Sequence, residues 1–297
     1  MTSVGVVPSD SGIPRVLIPE PTPTPAPTPG EPSPSPGEPS PSPEIDFDDA
    51  RRIDDPDGDT LRGTAGADLL LGNVGPDSIY GTGGRDTIYG RGPDDSGDSD
   101  DSLRGDDGND LLFGNQGQDT LIGGEGDDTI YGGQGGDSIY GGEPGDDQQR
   151  DDVKLLFGNL SNDTIIGGID DDCLYGGRDN DSLIGFDGDD YLSGDVGSDT
   201  LFGGEGEDSF VIGENGATSI ASQTDFILDF TDDDDEILLI DGLRFGDLEI
   251  EDTTVGGQSG ALIRIDTDSN TNDLFIGFVV GVSENDLSSG DFRTLSE

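Results

Sequence analysis

The chain has 297 residues, with 67 Asp or Glu against 13 Lys or Arg, a formal net charge of −54 at pH 7, no His, no Trp and one Cys. Nucleic acid and anionic membrane surfaces repel such a chain, so its natural partners are cations. A lone Cys173 makes no internal disulfide, and without His there is no HExxH zinc site, Ser-His-Asp triad or Cys-His pair.

Residues 1–46 hold nearly all of the 18 Pro, most of them between Pro21 and Pro43. This composition predicts a disordered spacer biased to polyproline II. Val4, Val6 and Val7 follow no basic residue and are too few to form a secretory leader, and no apolar run reaches membrane-spanning length. Residues 47–62 are expected to cap the repetitive segment that begins at Gly63. Within them Asp54 to Arg62 reads as a degenerate repeat, with Asp59 and Leu61 at its acidic and apolar positions.

From Gly63 to Val211 the chain divides into fifteen consecutive units, thirteen of them nine residues long, in the frame Gly-x-x-Gly-x-Asp-x-Leu/Ile-x. The frame is clearest in Gly123 to Tyr131, Gly132 to Tyr140 and Gly203 to Val211. Position six is Asp68, Asp77, Asp86, Asp101, Asp110, Asp119, Asp128, Asp137, Asp163, Asp172, Asp181, Asp190, Asp199 and Asp208, and only Lys154 breaks the series. Position four is Gly66, Gly75, Gly84, Gly108, Gly117, Gly126, Gly135, Gly188, Gly197 and Gly206; Ser161, Asp170 and Asp179 replace it elsewhere. Position eight is always apolar, which predicts a three-residue strand with that one side chain turned inward. The first six residues should form a tight turn, because glycine permits positive φ and close approach of the backbone to a ligand. Insertions at Asp94 to Asp100 and Pro144 to Asp152 are acidic and punctuated by Gly or Pro, and read as bulging loops.

One unit cannot bury its apolar residue alone, so the units should stack into a solenoid. Stacking aligns charge: Gly63 to Val211 holds 35 acidic and 6 basic residues, a net of −29, within Debye range of one another. A hard divalent cation relieves that repulsion, and Ca²⁺ takes about six to eight oxygen ligands in flexible geometry.

The nonapeptide resembles the RTX (hemolysin-type) calcium-binding repeat. The resemblance implies an all-β parallel β-roll, two nonapeptides per coil, with each Ca²⁺ shared between turns n and n+2 through the position-six aspartates and position-four glycines named above. Fifteen turns leave at most thirteen shared positions, whose +26 would nearly cancel the −29. Lys154 offers no oxygen ligand, so a calcium-poor break is expected at Gly141 to Phe157, affecting Asp137 and Asp172 as its neighbours two turns away. Asp151 and Asp152 are partial substitutes.

After Val211 the period stops and longer β segments appear at Asp225 to Phe230, Glu236 to Ile240, Leu248 to Glu251, Ala261 to Ile265 and Leu274 to Val280. Residues 212–297, with Phe226, Phe230, Phe245, Phe275 and Phe278, are expected to cover the open end of the solenoid. The stretch from Thr224 to Leu243 also resembles the C-terminal region of type I secreted RTX proteins, with Asp233 where that pattern has Gly. The resemblance implies export by the type I secretion machinery, a secreted or cell-surface location, and folding on Ca²⁺ outside the cell. Only 62 residues precede the array, too few for a catalytic domain, so the expected role is structural or surface-associated rather than enzymatic. The alternative is an accessory, non-catalytic module of a secreted RTX enzyme system of epimerase, lipase or protease type.

Overall fold

The computed structural model describes residues 6–8, 14–16, 51–52, 60–90, 99–142, 152–213, 223–232, 234–240, 242–265 and 274–295. The chain separates into two units, residues 1–44 and 45–297. Of the first, the described part is an antiparallel pair, Val6–Pro8 with Pro14–Val16, where the sequence predicts no strand. The Pro21 to Pro43 stretch lies outside the described residues, as do Asp59, Asp151 and most of both insertions.

The second unit is a β-roll of two long sheets, one of twelve strands and one of eleven. Successive nonapeptides alternate between the sheets. Strand Thr120–Glu125 pairs in parallel with Ser102–Asp107 and Ser138–Tyr140. The next strand in sequence, Thr129–Gln134, pairs in the opposite sheet with Leu111–Gln116 and Leu155–Leu160. Two nonapeptides thus close one coil, and Cys173 lies beside Tyr191. Both insertions are absorbed without loss of register: Ile79 still faces Leu103, and Ile130 faces Leu156. An extra strand ahead of the array, Arg51–Arg52, pairs with Leu70–Leu71, and Thr60–Arg62 of the degenerate repeat pairs with Ser78–Tyr80.

The apolar column forms as its spacing requires: Leu70, Ile130, Leu156 and Phe210 are each 0% exposed. It fills the space between the sheets and runs on, as one cluster, to Ile237, Ile263 and Phe292. The strands are longer than three residues, however. Most continue through the first residues of the following unit, as in Leu111–Gln116 and Tyr191–Val196. The expected six-residue turn shrinks because positions two and three pair with the coil above and below, Gly124 opposite Asp106 and Glu125 opposite Asp107.

Left-handed backbone at position two makes this possible, and the residue there is often not Gly: Asn115 has φ 80°, Asn159 81° and Phe186 90°. Asn tolerates that region, whereas Phe is strained in it. Phe186 is 48% exposed, so half of the ring stays buried in spite of the strained backbone.

A signal with a period of two units escaped the sequence reading. Position nine on one sheet carries Tyr89, Phe113, Tyr131, Phe157 and Tyr175, whose rings stack with centroids 4.6, 5.1, 4.8 and 4.9 Å apart. That spacing is the distance between hydrogen-bonded strands, so the ladder follows directly from register.

Parallel stacking also continues past Val211. Phe226–Ile227 adds to Thr200–Leu201, and Glu236–Leu239 adds to Ser209–Ile212. A further layer comes from Leu274–Val280 and Phe292–Thr294. The hairpin Leu248–Val255 with Gln258–Ile265 then joins Leu274–Val280 in antiparallel fashion. Phe230 is buried in the main core and Phe245 packs on it, while Phe226, Phe275 and Phe278 gather with Val255 and Leu262 in a second cluster. Among the described residues no helix is long and apolar enough to cross a membrane.

Candidate metal-binding edges

The strand ends bring every position-six residue to one of two edges. Along the first run Asp68, Asp86, Asp110, Asp128, Lys154, Asp172, Asp190 and Asp208; along the second run Asp77, Asp101, Asp119, Asp137, Asp163, Asp181 and Asp199. Except at Asp128, whose next ladder member is Lys154, the backbone N–H of each donates to Oδ1 of the aspartate one coil later. On the first edge Asp86 donates to Asp110 at 2.7 Å and Asp110 to Asp128 at 2.9 Å; on the second Asp119 donates to Asp137 at 2.9 Å and Asp163 to Asp181 at 2.7 Å. These bonds fix the rotamer of each carboxylate and aim its second oxygen into the edge.

That second oxygen is the notable group. Oδ2 of Asp86, Asp110, Asp119, Asp137, Asp163, Asp172, Asp181, Asp190 and Asp199 is buried with no hydrogen-bond partner. A buried carboxylate oxygen without a donor is costly when ionised, so nine of them on two edges call for a cation or a proton. Burial, reinforced by neighbouring carboxylates, pushes Asp110 up to about 7 and Asp119 to about 8. The first turns differ: Thr64 N–H donates to Asp68 Oδ2 at 2.6 Å and Asn73 N–H to Asp77 Oδ2 at 2.8 Å.

Position four supplies the turn. Gly75, Gly84, Gly108, Gly117, Gly126, Gly135, Gly188 and Gly206 all have positive φ, and Ser161 and Asp179 adopt it at 81° and 79°; Gly66 and Gly197 do not. A Cβ on Gly126 would stand 2.4 Å from the Gly108 carbonyl oxygen, so close stacking of turns excludes a side chain there. Among the described residues no three His, Cys, Asp or Glu side chains converge on one point. Any ion on these edges draws on main-chain carbonyls as well as carboxylate, an all-oxygen donor set suited to Ca²⁺ rather than Zn²⁺.

Lys154 is 1% exposed, and its Nζ donates to Gly124 O at 2.7 Å, to Gly126 O and to Asp128 Oδ2 at 3.0 Å. Its neighbours one coil away are therefore Asp128 and Asp172, whose Oδ1 accepts the Lys154 N–H at 2.7 Å. Asp137, expected beside Lys154, belongs to the opposite edge and bonds Asp163 instead, because consecutive units face different sheets. Asp152 does not substitute at position six: its carboxylate accepts the Gly126 N–H at 2.8 Å.

Two ladder members were missed in the sequence. Asp225 accepts from Asp199 and Asp235 from Asp208, each at 3.0 Å. The signal was an Asp two residues ahead of an inward Ile, in Asp225-Phe226-Ile227 and Asp235-Glu236-Ile237, hidden because the spacing had changed. Cys173 lies half-buried at position seven of its unit, where its strand begins, and burial pushes its thiol up.

No curated protein matches the chain. Among solved structures, the AlgE6R3 subunit of the Azotobacter vinelandii mannuronan C5-epimerase aligns over 81% of this chain and 81% of its own, with 15% identity and a TM-score of 0.17, too low for anything further to follow. The model of the RTX calcium-binding nonapeptide repeat matches residues 55–88, 62–96, 95–121, 113–143, 155–183 and 184–216, about half of the chain, and passes over the segment that contains Lys154. With the repeat, the two-sheet roll and the buried aspartate ladders in agreement, the chain belongs to the family of RTX calcium-binding nonapeptide repeat proteins.

Proposed function

We propose that the protein is a secreted calcium-binding β-roll that folds on Ca²⁺ outside the cell and serves a structural or surface-associated role. The observation that carries this reading is the pair of ladders of buried aspartates whose second carboxylate oxygen has no donor. The position-six aspartates and the main-chain carbonyls of the glycine turns are the ligands in this reading. Titration with Ca²⁺ in the millimolar range should produce the strand spectrum, and Mg²⁺ should substitute poorly because it demands near-ideal octahedral geometry and keeps its waters. Equal folding by both ions would defeat the reading.

Export rests on the C-terminal resemblance, and the two functions share residues. Residues 226–295 extend the sheets and their core, so removing about sixty C-terminal residues should block secretion and weaken calcium-driven folding together. Normal appearance of the truncated chain in the medium would count against the export role. The second reading, an accessory module of a secreted enzyme system, predicts instead co-purification with a catalytic polypeptide.

A further inference from the structure

Of the 13 basic residues in the chain 12 are Arg, and the single Lys stands at the one ladder position where an acid is missing. Its ammonium is buried on the first edge, bonded to the position-two carbonyl, the position-four carbonyl and the position-six carboxylate of the unit Gly123 to Tyr131. An ammonium has three N–H donors and no acceptor, and here it meets three oxygens. Asp128 Oδ2, the counterpart of the oxygens that lack a donor elsewhere, is satisfied by this contact.

We infer that Lys154 is a built-in cation that occupies the metal position between the units beginning at Gly123 and Gly141, so that this coil of the first edge closes without Ca²⁺. The inference rests on the calcium reading above for the remaining positions. The break expected at Lys154 is therefore a staple. It carries a further consequence for the next coil, where the absence of a carboxylate at Lys154 leaves the position between the units beginning at Gly141 and Gly167 without its aspartate ligand. Two successive metal positions on that edge are thus removed, one filled and one stripped.

The same geometry explains why Lys rather than Arg stands there. A compact ammonium can replace a small sphere of charge surrounded by oxygens, whereas a planar guanidinium fork cannot. It also gives the stack a starting point. In a solenoid each coil is stabilised by its neighbours, so a coil that one edge holds shut without metal offers a surface on which adjacent coils can order as calcium arrives.

Three measurements on the full chain test this. Because Lys154 is the only lysine, an amine-acylating reagent has only the N-terminus and this side chain to attack. In calcium-free buffer with chelator, Lys154 of the unaltered protein should react at least about tenfold more slowly than the same lysine at the same pH in denaturant, and the strands Thr129–Gln134 and Leu155–Leu160 should keep amide protection that Ser182–Asp187 loses. Acylation of Lys154 at the rate of the denatured chain would overturn the inference. Ion counting by equilibrium dialysis should find one or two more Ca²⁺ in Lys154→Asp than in the unaltered protein, and Lys154→Arg should lose the protection without gaining an ion. An unchanged count in a folded Lys154→Asp, with calcium bound elsewhere, would sink the inference and leave the calcium reading intact; no calcium in either protein would sink that reading, while the acylation result still decides on the staple. If Lys154→Asp does not fold, acylation and exchange on the unaltered chain decide alone.

Discussion

In excess chelator at pH 8 the strand signal of the roll should collapse outside the coil held by Lys154, and it should return on acidification with no calcium present. Burial holds Asp110 near 7 and Asp181 near 8 in the metal-free fold, against 3.8 for an unhindered carboxyl. Three pH units correspond to about 4 kcal/mol of penalty on the ionised form of each group. A whole domain is stable by only about 5 to 15 kcal/mol, so two or three such ionised groups suffice to unfold the metal-free stack. The sign follows from linkage: these groups are raised in the fold, so the metal-free fold is favoured most below about pH 4, and that advantage is lost as the pH climbs through 7 to 8. Far-UV circular dichroism on calcium-stripped protein between pH 4 and 8 reads both limbs. An unchanged spectrum on adding EDTA at pH 8 would sink the idea.

Replacing one ladder carboxylate by its amide should move the protein in opposite directions with and without calcium. Asp119 is 1% exposed; its Oδ1 accepts the Asp101 N–H at 2.8 Å, and its Oδ2 has no donor. Asp119→Asn keeps an acceptor for Asp101 and removes the charge that burial disfavours by several kcal/mol. In chelator at pH 8 the variant should be the more structured protein. In calcium it should bind more weakly, by about tenfold or more at the affected position, since an amide is a poorer ligand than a carboxylate for a hard cation. Paired calcium titrations read both effects. Destabilisation of Asp119→Asn under both conditions would mean that the carboxylate is a structural hydrogen-bonding group and not an ion ligand.

Asp128 differs from its counterparts in hydrogen bonding, although burial still pushes its carboxyl up to about 7 against the pull of the Lys154 ammonium. Asp110 and Asp190 lie on the same edge with their second oxygens bare, whereas Asp128 has the Lys154 ammonium at 3.0 Å. One substitution in a fifteen-fold repeat gives a buried carboxylate oxygen a donor from within the chain.

The nine-residue period, the Asp at position six and the apolar residue at position eight determined the class of fold and the family, because a short unit with one apolar side chain has only stacking as a way to bury it. They also determined that the carboxylates line up, since aspartates at a fixed repeat position must align once the register is set, but not which of them meet. What a one-dimensional period could not show is that neighbouring units face opposite sheets, so Lys154 meets Asp128 and Asp172 and not Asp137. Nor could it show the ring stack from Tyr89 to Tyr175, whose period is two units. The place of Asp225 and Asp235 was hidden for the same reason: the coil accepts chain of any length between its strands, so the structure recognised them by position in space where the sequence had lost them by spacing. Where the Lys154 ammonium lies was decided only by the tertiary structure, because the three oxygens around it come from a unit about 26 to 30 residues away and converge only when the coils stack.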